Sequence, residues 1–199
     1  MVETQIRARG VLDPRVLRAM ETISRHLFVP EELAGSAYLD EPLPIGYGQT
    51  ISQPYIVAYM TELLELRGDE KVLEVGTGSG YQTAVLAALA ADVWTVEIVD
   101  ELSGPAKSRL EGLGCTNVHF RIGDGSQGWP EAGPFDAIMV TAAPAAVPGV
   151  LEGQLADSGR MIIPVGEYSQ SLFLVRREGG TFRRRELIGV RFVPLVQGS

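Results

Sequence analysis

Histidine and cysteine are scarce in this chain. Its two histidines, His26 and His119, stand far apart, and its single cysteine, Cys115, has no partner within the chain. An internal disulfide and cysteine-rich metal motifs are therefore excluded. Isolated histidines read as surface or packing residues, so no metal site is expected. Cationic excess is also missing: 17 Lys and Arg face 25 Asp and Glu, for a net charge of −8. A nucleic-acid partner would call for a basic face. The one basic cluster, Arg183-Arg184-Arg185 after Arg176-Arg177, reads more simply as solvated hairpin charge. No apolar run approaches the roughly 18 residues of a membrane span, and the N-terminus shows no basic-then-apolar leader. Together these absences lead us to expect a cytoplasmic protein, monomeric, with no nucleic-acid or membrane partner.

What the chain does have is a globular composition. It has 199 residues, 45% of them hydrophobic, enough for one domain with a sizeable core. We read residues 1–199 as a single domain, with 1–65 supplying N-terminal helices and a substrate or lid loop, and 66–199 a Rossmann-like core. Asp13-Pro14 has the form of a helix start, cap followed by proline, and Val16, Leu17, Met20 and Ile23 follow at helical spacing. Residues 28–52 are broken by Pro30, Pro42, Pro44, Gly46 and Gly48 yet keep apolar side chains, which suits a wall or lid. A helix starts near Ser52–Pro54 and is expected to end at Gly68. Strands over 71–75, 92–97, 117–122, 135–141 and 159–165 alternate with helices over 80–90, 100–112 and 148–156. That alternation predicts an α/β fold with a doubly wound, mostly parallel sheet. Two final strands over 171–177 and 181–194, joined at Gly179-Gly180, add an antiparallel edge.

The chemistry concentrates in Lys71-Val-Leu-Glu-Val-Gly-Thr-Gly-Ser-Gly-Tyr81. An apolar strand runs into Gly76, Thr77, Gly78, Ser79 and Gly80, and a helix starts at once. Glycine lets a ligand approach the backbone, and the first such turn of a doubly wound sheet is the usual nucleotide-type site. The spacing is G-x-G-x-G, whereas a dinucleotide turn wants its third glycine where Tyr81 stands. Glu74, near the strand end, would repel a pyrophosphate but suit a cationic ligand. We therefore read the loop as a binder of S-adenosylmethionine. Glu97, followed by Ile98, comes 21 residues after Gly76, where an acid typically bonds ribose hydroxyls; that feature is shared with NAD sites. Asp124-Gly125 and Thr141 end the next strands. Asp124 with Gly125 can accept from an adenine amino group and donate to a ring nitrogen, or can simply form a turn.

These residues, with Pro42-Leu-Pro-Ile-Gly-Tyr-Gly-Gln-Thr-Ile-Ser-Gln-Pro54, closely resemble the protein-L-isoaspartate O-methyltransferase family, over nearly the whole chain. The likeness continues through Phe28-Val-Pro30, Gly123-Asp-Gly125, Thr141-Ala-Ala143 and Phe192-Val-Pro-Leu195. Residues 168–191 are weakly diagnostic, and the chain begins a few residues later than members commonly do, which would shorten the first helix. The resemblance implies a Rossmann-like class I methyltransferase sandwich. It implies transfer of methyl from S-adenosylmethionine, leaving S-adenosylhomocysteine, to the abnormal α-carboxylate of isoaspartyl residues in damaged proteins and peptides. The methyl ester then closes to a succinimide, and hydrolysis returns some normal aspartate.

The resemblance places the active-site serine at Ser52. On the residues alone, Ser52 reads more simply as the cap of the following helix, and both roles can hold. It further implies that Thr50 and Ile51 touch the cofactor, and that Ile45, Tyr47, Gln53, Val193, Pro194 and Leu195 meet the substrate. A carboxylate, ionised at pH 7, needs no general base, in keeping with motifs that hold no histidine. A nicotinamide-dependent oxidoreductase, a methyltransferase acting on another carboxylate or small molecule, and a non-catalytic binder remain the alternatives.

Overall fold

The computed structural model describes residues 1–198; Ser199, the last residue of the expected core region, lies outside them. The chain opens with a π-helical turn, Val2–Ile6, and a short 3-10 turn, Arg7–Arg9. Helix α1, Pro14–Thr22, starts as its sequence dictates: the Asp13 carboxylate accepts from the backbone N–H of Arg15 and Val16, and proline takes the first helical position. Val16, Leu17 and Met20 are buried beneath it. Two 3-10 turns, Arg25–Phe28 and Glu31–Ser36, lead into a hairpin formed by β1, Leu43–Gly46, and β2, Gln49–Ile51. The prolines and glycines of residues 28–52, expected to break regular structure, here permit a two-stranded ribbon. Pro44 opposes Thr50, and a bulge follows it; proline is tolerated in such an edge position.

Helix α2 runs Pro54–Leu63. It stops short of the expected Gly68 because Glu65 turns left-handed at φ 48. The sheet then begins with β3, Lys71–Val75, followed by α3, Tyr81–Ala87; β4, Asp92–Glu97; α4, Asp100–Gly112; and β5, Val118–Ile122. Next come β6, Phe135–Val140; α5, Gly149–Gly153; β7, Leu155–Val165; β8, Gln170–Glu178; and β9, Thr181–Val190. The seven strands lie in the order β5-β4-β3-β6-β7-β8-β9. Strands β3 to β7 are parallel, and β8 and β9 close one edge antiparallel. The expected α/β fold with an antiparallel C-terminal edge is what forms.

Both faces of the central strands are covered, which is why those strands read as continuous apolar runs. Side chains alternate between faces. Val72, Val93 and Met139 face one layer that includes α1, α2 and α3, while Leu73, Val75 and Ile138 face the other, closed by α5 and Phe135. The chain leaves β9 at Val190. Gln170 holds it there, its side-chain amide donating to the Phe192 carbonyl and accepting from the Phe192 N–H. The chain then crosses to pair Pro194 with Ala143 beyond β6.

Replacing Asp13 by alanine removes the cap of α1. The expected loss is about 1 kcal/mol, read as a drop of roughly 2–4 °C in Tm. An unchanged melting curve would assign the anchoring of this segment to Glu62 instead, whose Oε1 accepts from the N–H of Leu12 and Asp13.

Candidate active site

Strands β4 and β5 lie on one side of β3, and β6 on the other. The loops leaving β3 and β6 therefore diverge, and a crevice opens beyond their carboxyl ends. Two cavities meet there. The inner one is walled by Gly76 to Ser79, Glu97, Ile98, Gly125 and Thr141. The outer is a groove of about 950 Å3 between Arg9, Tyr55, Gln170 and the segment 188–194. Thr50, Ser52, Thr141, Val193 and Pro194 belong to both.

The glycine loop is held from two sides. At Gly76, φ 97, a Cβ would lie 2.3 Å from Thr141 Oγ1. That hydroxyl donates to the carbonyls of Val75 and Gly76, at 2.9 and 2.8 Å. On the other side, Glu97 accepts from the N–H of Gly78 at 2.7 Å and of Val99 at 2.9 Å. Each of its oxygens keeps a further acceptor site, and the carboxylate stands in the cavity wall. At Gly125 a Cβ would strike Val75 Cγ1 at 2.5 Å. These are backbone surfaces that only glycine can supply at this spacing.

Most residues singled out from sequence converge on the two cavities. Thr50, Ile51, Gly76, Thr77, Gly78, Ser79, Tyr81, Glu97, Ile98, Gly125 and Thr141 line the inner one, and Gln53, Val193 and Pro194 the groove. Leu195, expected at the substrate, lines the inner cavity instead. Ile45 lies over the loop, its Cδ1 3.4 Å from where a Gly78 Cβ would stand. Ser52 is not the helix cap: that position falls to Gln53, one residue on.

Four expectations are corrected. Glu74 does not face a ligand. Strand alternation sends it to the α3 side, where it is fully buried and its Oε2 accepts from the hydroxyls of Thr83 and Thr95, both at 2.6 Å. Burial pushes its pKa up to about 8, against the two threonine donors and with an added push from Glu97. Gly80 caps α3 at φ 86 and meets Leu110 of α4, not a ligand. Asp124 lines neither cavity: its Oδ1 accepts from Ser126 N at 2.8 Å and it caps the 3-10 turn Gly125–Gln127, the turn role its sequence also allowed. Tyr47 sits at the tip of the β1–β2 hairpin, 61% exposed and at φ 53, and lines neither cavity. Sequence reasoning missed Arg9, Tyr55 and the turn Glu167–Gln170 of the groove. Those residues come from remote segments and carry no local motif.

Comparison with known proteins points to one family. The family model for protein-L-isoaspartate(D-aspartate) O-methyltransferase matches residues 1–199. A protein-L-isoaspartate O-methyltransferase from Picosynechococcus is 55% identical over 195 residues, covering 98% of this chain and 88% of its own. A second, from Anaeromyxobacter dehalogenans, is 57% identical over 191 residues, covering 94% and 91%. Among solved structures, one protein-L-isoaspartate O-methyltransferase superposes with a TM-score of 0.87 at 31% identity, over 98% of this chain and 65% of its own.

The buried Glu74 carboxyl makes stability depend on pH. It stays protonated in the folded chain up to about pH 8, whereas the unfolded chain ionises near 4.5. The folded state therefore binds the extra proton between those values, and stability falls as pH rises through them. Glu74→Gln keeps the shape of the protonated acid and removes the proton. Its stability relative to the parent is expected to grow between about pH 5 and pH 8, followed by denaturant unfolding. A constant difference across that range would contradict the assignment.

Proposed function

The chain belongs to the protein-L-isoaspartate(D-aspartate) O-methyltransferase family, and on that premise we propose how its two joined cavities carry out methyl transfer. The reaction converts the α-carboxylate of an isoaspartyl residue in a damaged protein or peptide to its methyl ester, which opens the route to repair through a succinimide. When bound, S-adenosylmethionine supplies the methyl group from a cationic sulfur.

The residues present fit that cofactor. The cradle at Gly76 and Gly125 is one a Cβ would fill, and the Glu97 carboxylate has acceptor sites left for ribose hydroxyls. Thr50, Ile51, Thr77, Gly78, Ser79, Tyr81, Ile98 and Thr141 complete the wall. Relatives point the same way: a Plasmodium falciparum protein-L-isoaspartate O-methyltransferase, crystallised with S-adenosyl-L-homocysteine, superposes with a TM-score of 0.86 at 27% identity, over 99% of this chain and 97% of its own. A nicotinamide-dependent reading is set aside by family membership.

The observation that carries the mechanism is that Ser52 stands on the boundary between the two cavities without serving as the helix cap. In this reading its hydroxyl holds the carboxylate oxygen that does not attack, leaving the other oxygen for the inner cavity. Orientation of this kind is a large part of what a site can contribute. No general base is needed, since the substrate carboxylate is ionised at pH 7. Among the described residues neither cavity has a histidine in its wall; His26 pairs with Tyr38, and His119 with Asp92. Gln53, Val193 and Pro194 line the groove that takes the peptide, with Ile45 closing over the loop.

We take residues 1–65 and 66–199 to act as one domain, because the groove draws on both. We further propose a monomer acting in the cytoplasm; the acidic net charge of −8 weighs against a nucleic-acid partner. No helix among the described residues is long and apolar enough to cross a membrane.

Labelled methyl transfer to a matched isoaspartyl and aspartyl peptide pair tests the reading. Base-labile label is expected on the isoaspartyl peptide alone, and Ser52→Ala should lower turnover about tenfold or more with little change in Tm. Normal turnover in that variant would remove Ser52 from the mechanism. Glu97→Ala should weaken S-adenosylhomocysteine binding by about tenfold or more, equivalent to roughly 1.4 kcal/mol. Unchanged affinity by calorimetry would end the ribose assignment.

A further inference from the structure

We propose that Asp40 is a positioning residue for methyl transfer: it fixes the start of α2, and through it the Ser52 hydroxyl, at the junction of the two cavities. The inference rests on the role given to Ser52 above.

Ser52 occupies a narrow place in the chain. Strand β2 ends one residue before it, where Ile51 is registered against Leu43. The cap position of α2, Gln53, follows one residue after. From the β2 side Ser52 is held by the hairpin. From the α2 side it can be held only by whatever holds Gln53 and the first turn of the helix. The Gln53 side chain does not cap the helix, and Pro54 has no N–H. The first backbone donor that needs a partner is therefore Tyr55, and it donates to Asp40 Oδ1 at 3.3 Å. Asp40 Oδ2 accepts from Gln53 Nε2 at 2.7 Å and from Arg9 Nη1 at 2.7 Å. One carboxylate thus caps α2 from 15 residues upstream and grips the residue next to Ser52. A negative charge is also favoured at a helix N-terminus.

The anchor is itself held. Arg25 is fully buried, and its Nε donates to the Ala37 carbonyl at 2.7 Å, three residues before Asp40. Arg9, the third partner, lies 3.5 Å above the Tyr55 ring, and Tyr55 stacks on Tyr59 with centroids 5.6 Å apart. The N-terminal segment, the 37–40 loop and α2 therefore meet at Asp40. The carboxylate lines neither cavity. It does not touch the substrate and acts through Gln53 and Ser52.

A double-mutant cycle tests this with the full chain. Asp40→Ala, and Asp40→Asn, which keeps the volume and one acceptor, are each measured alone and combined with Ser52→Ala. The expected result is a fall in kcat of about ten- to a hundredfold for Asp40→Ala and a smaller fall for Asp40→Asn. The KM for S-adenosylmethionine and the Kd for S-adenosylhomocysteine stay unchanged, and neither Asp40 substitution lowers kcat further once Ser52 is alanine. Equal losses in both backgrounds would overturn the proposal, as would cofactor affinity falling in step with kcat, because either marks general damage. Normal kcat in both Asp40 variants would overturn it directly. The Ser52→Ala single variant separates the two claims: if it retains normal turnover, the role of Ser52 falls first and that of Asp40 with it, whereas an impaired Ser52→Ala with additive Asp40 losses removes Asp40 alone.

Discussion

Between the backbone of Gly76 and the hydroxyl of Thr141 there is room for a hydrogen atom and nothing larger. The site depends on that closeness. It fastens the loop leaving β3 to the end of β6 at the place where the chain changes direction across the sheet, so that the loop backbone faces outward as a surface. A side chain at 76 would push the two strand ends apart and fill the space a ligand needs. Glu97 completes the arrangement from β4 by taking the Gly78 N–H. Three neighbouring strands thus fix one short stretch of backbone, and the rest of the site is arranged around it.

The acids near the loop show how one residue type takes different tasks from its surroundings. Glu97 reaches the cavity wall and receives backbone donors, so it serves as a charged acceptor. Glu74, three residues before Thr77, faces the helical layer and is sealed in, with threonine hydroxyls as its only donors among the described residues. Burial without a cation favours the neutral acid. The network from Thr77 through Thr95 to Glu74 and Thr83 then becomes a cross-brace between loop, strand and helix rather than a contact for ligand charge.

Much of the fold was legible because local and global preferences agree. Val72, Leu73 and Val75, like Ala137 to Val140, are apolar because both faces of their strands are covered, and Asp13-Pro14 starts a helix by chemistry that acts within four residues. Elsewhere the deciding contact is remote or depends on facing. Its distance from the glycines points Glu74 at the ligand, whereas alternation from Val72 sends it to the helical face. Glycine is the usual stop and points to Gly68 as the end of α2, while the chain uses Glu65 in a left-handed conformation that composition does not announce. The hairpin of residues 43–51 was hidden by its prolines and glycines. Arg9 and Gln170 reach the groove only through the tertiary fold, so no spacing within the sequence could have found them.

Gln170 has one more consequence. Its amide stands in for a peptide group, receiving and returning the hydrogen bonds of Phe192 as a neighbouring strand would. The chain is thereby re-registered after β9, whatever happened further out along the hairpin. Strands β8 and β9 run on to the Gly179-Gly180 turn, and residues 181–186 are exposed. Descendants of this sequence are free to lengthen or trim that hairpin, two residues at a time to preserve its facing, while the segment beyond Gln170's clasp inherits an unchanged course into the site. The outer end of the hairpin is thus left free, while the Gln170 clasp and the pairing at Ala143 hold the inner end.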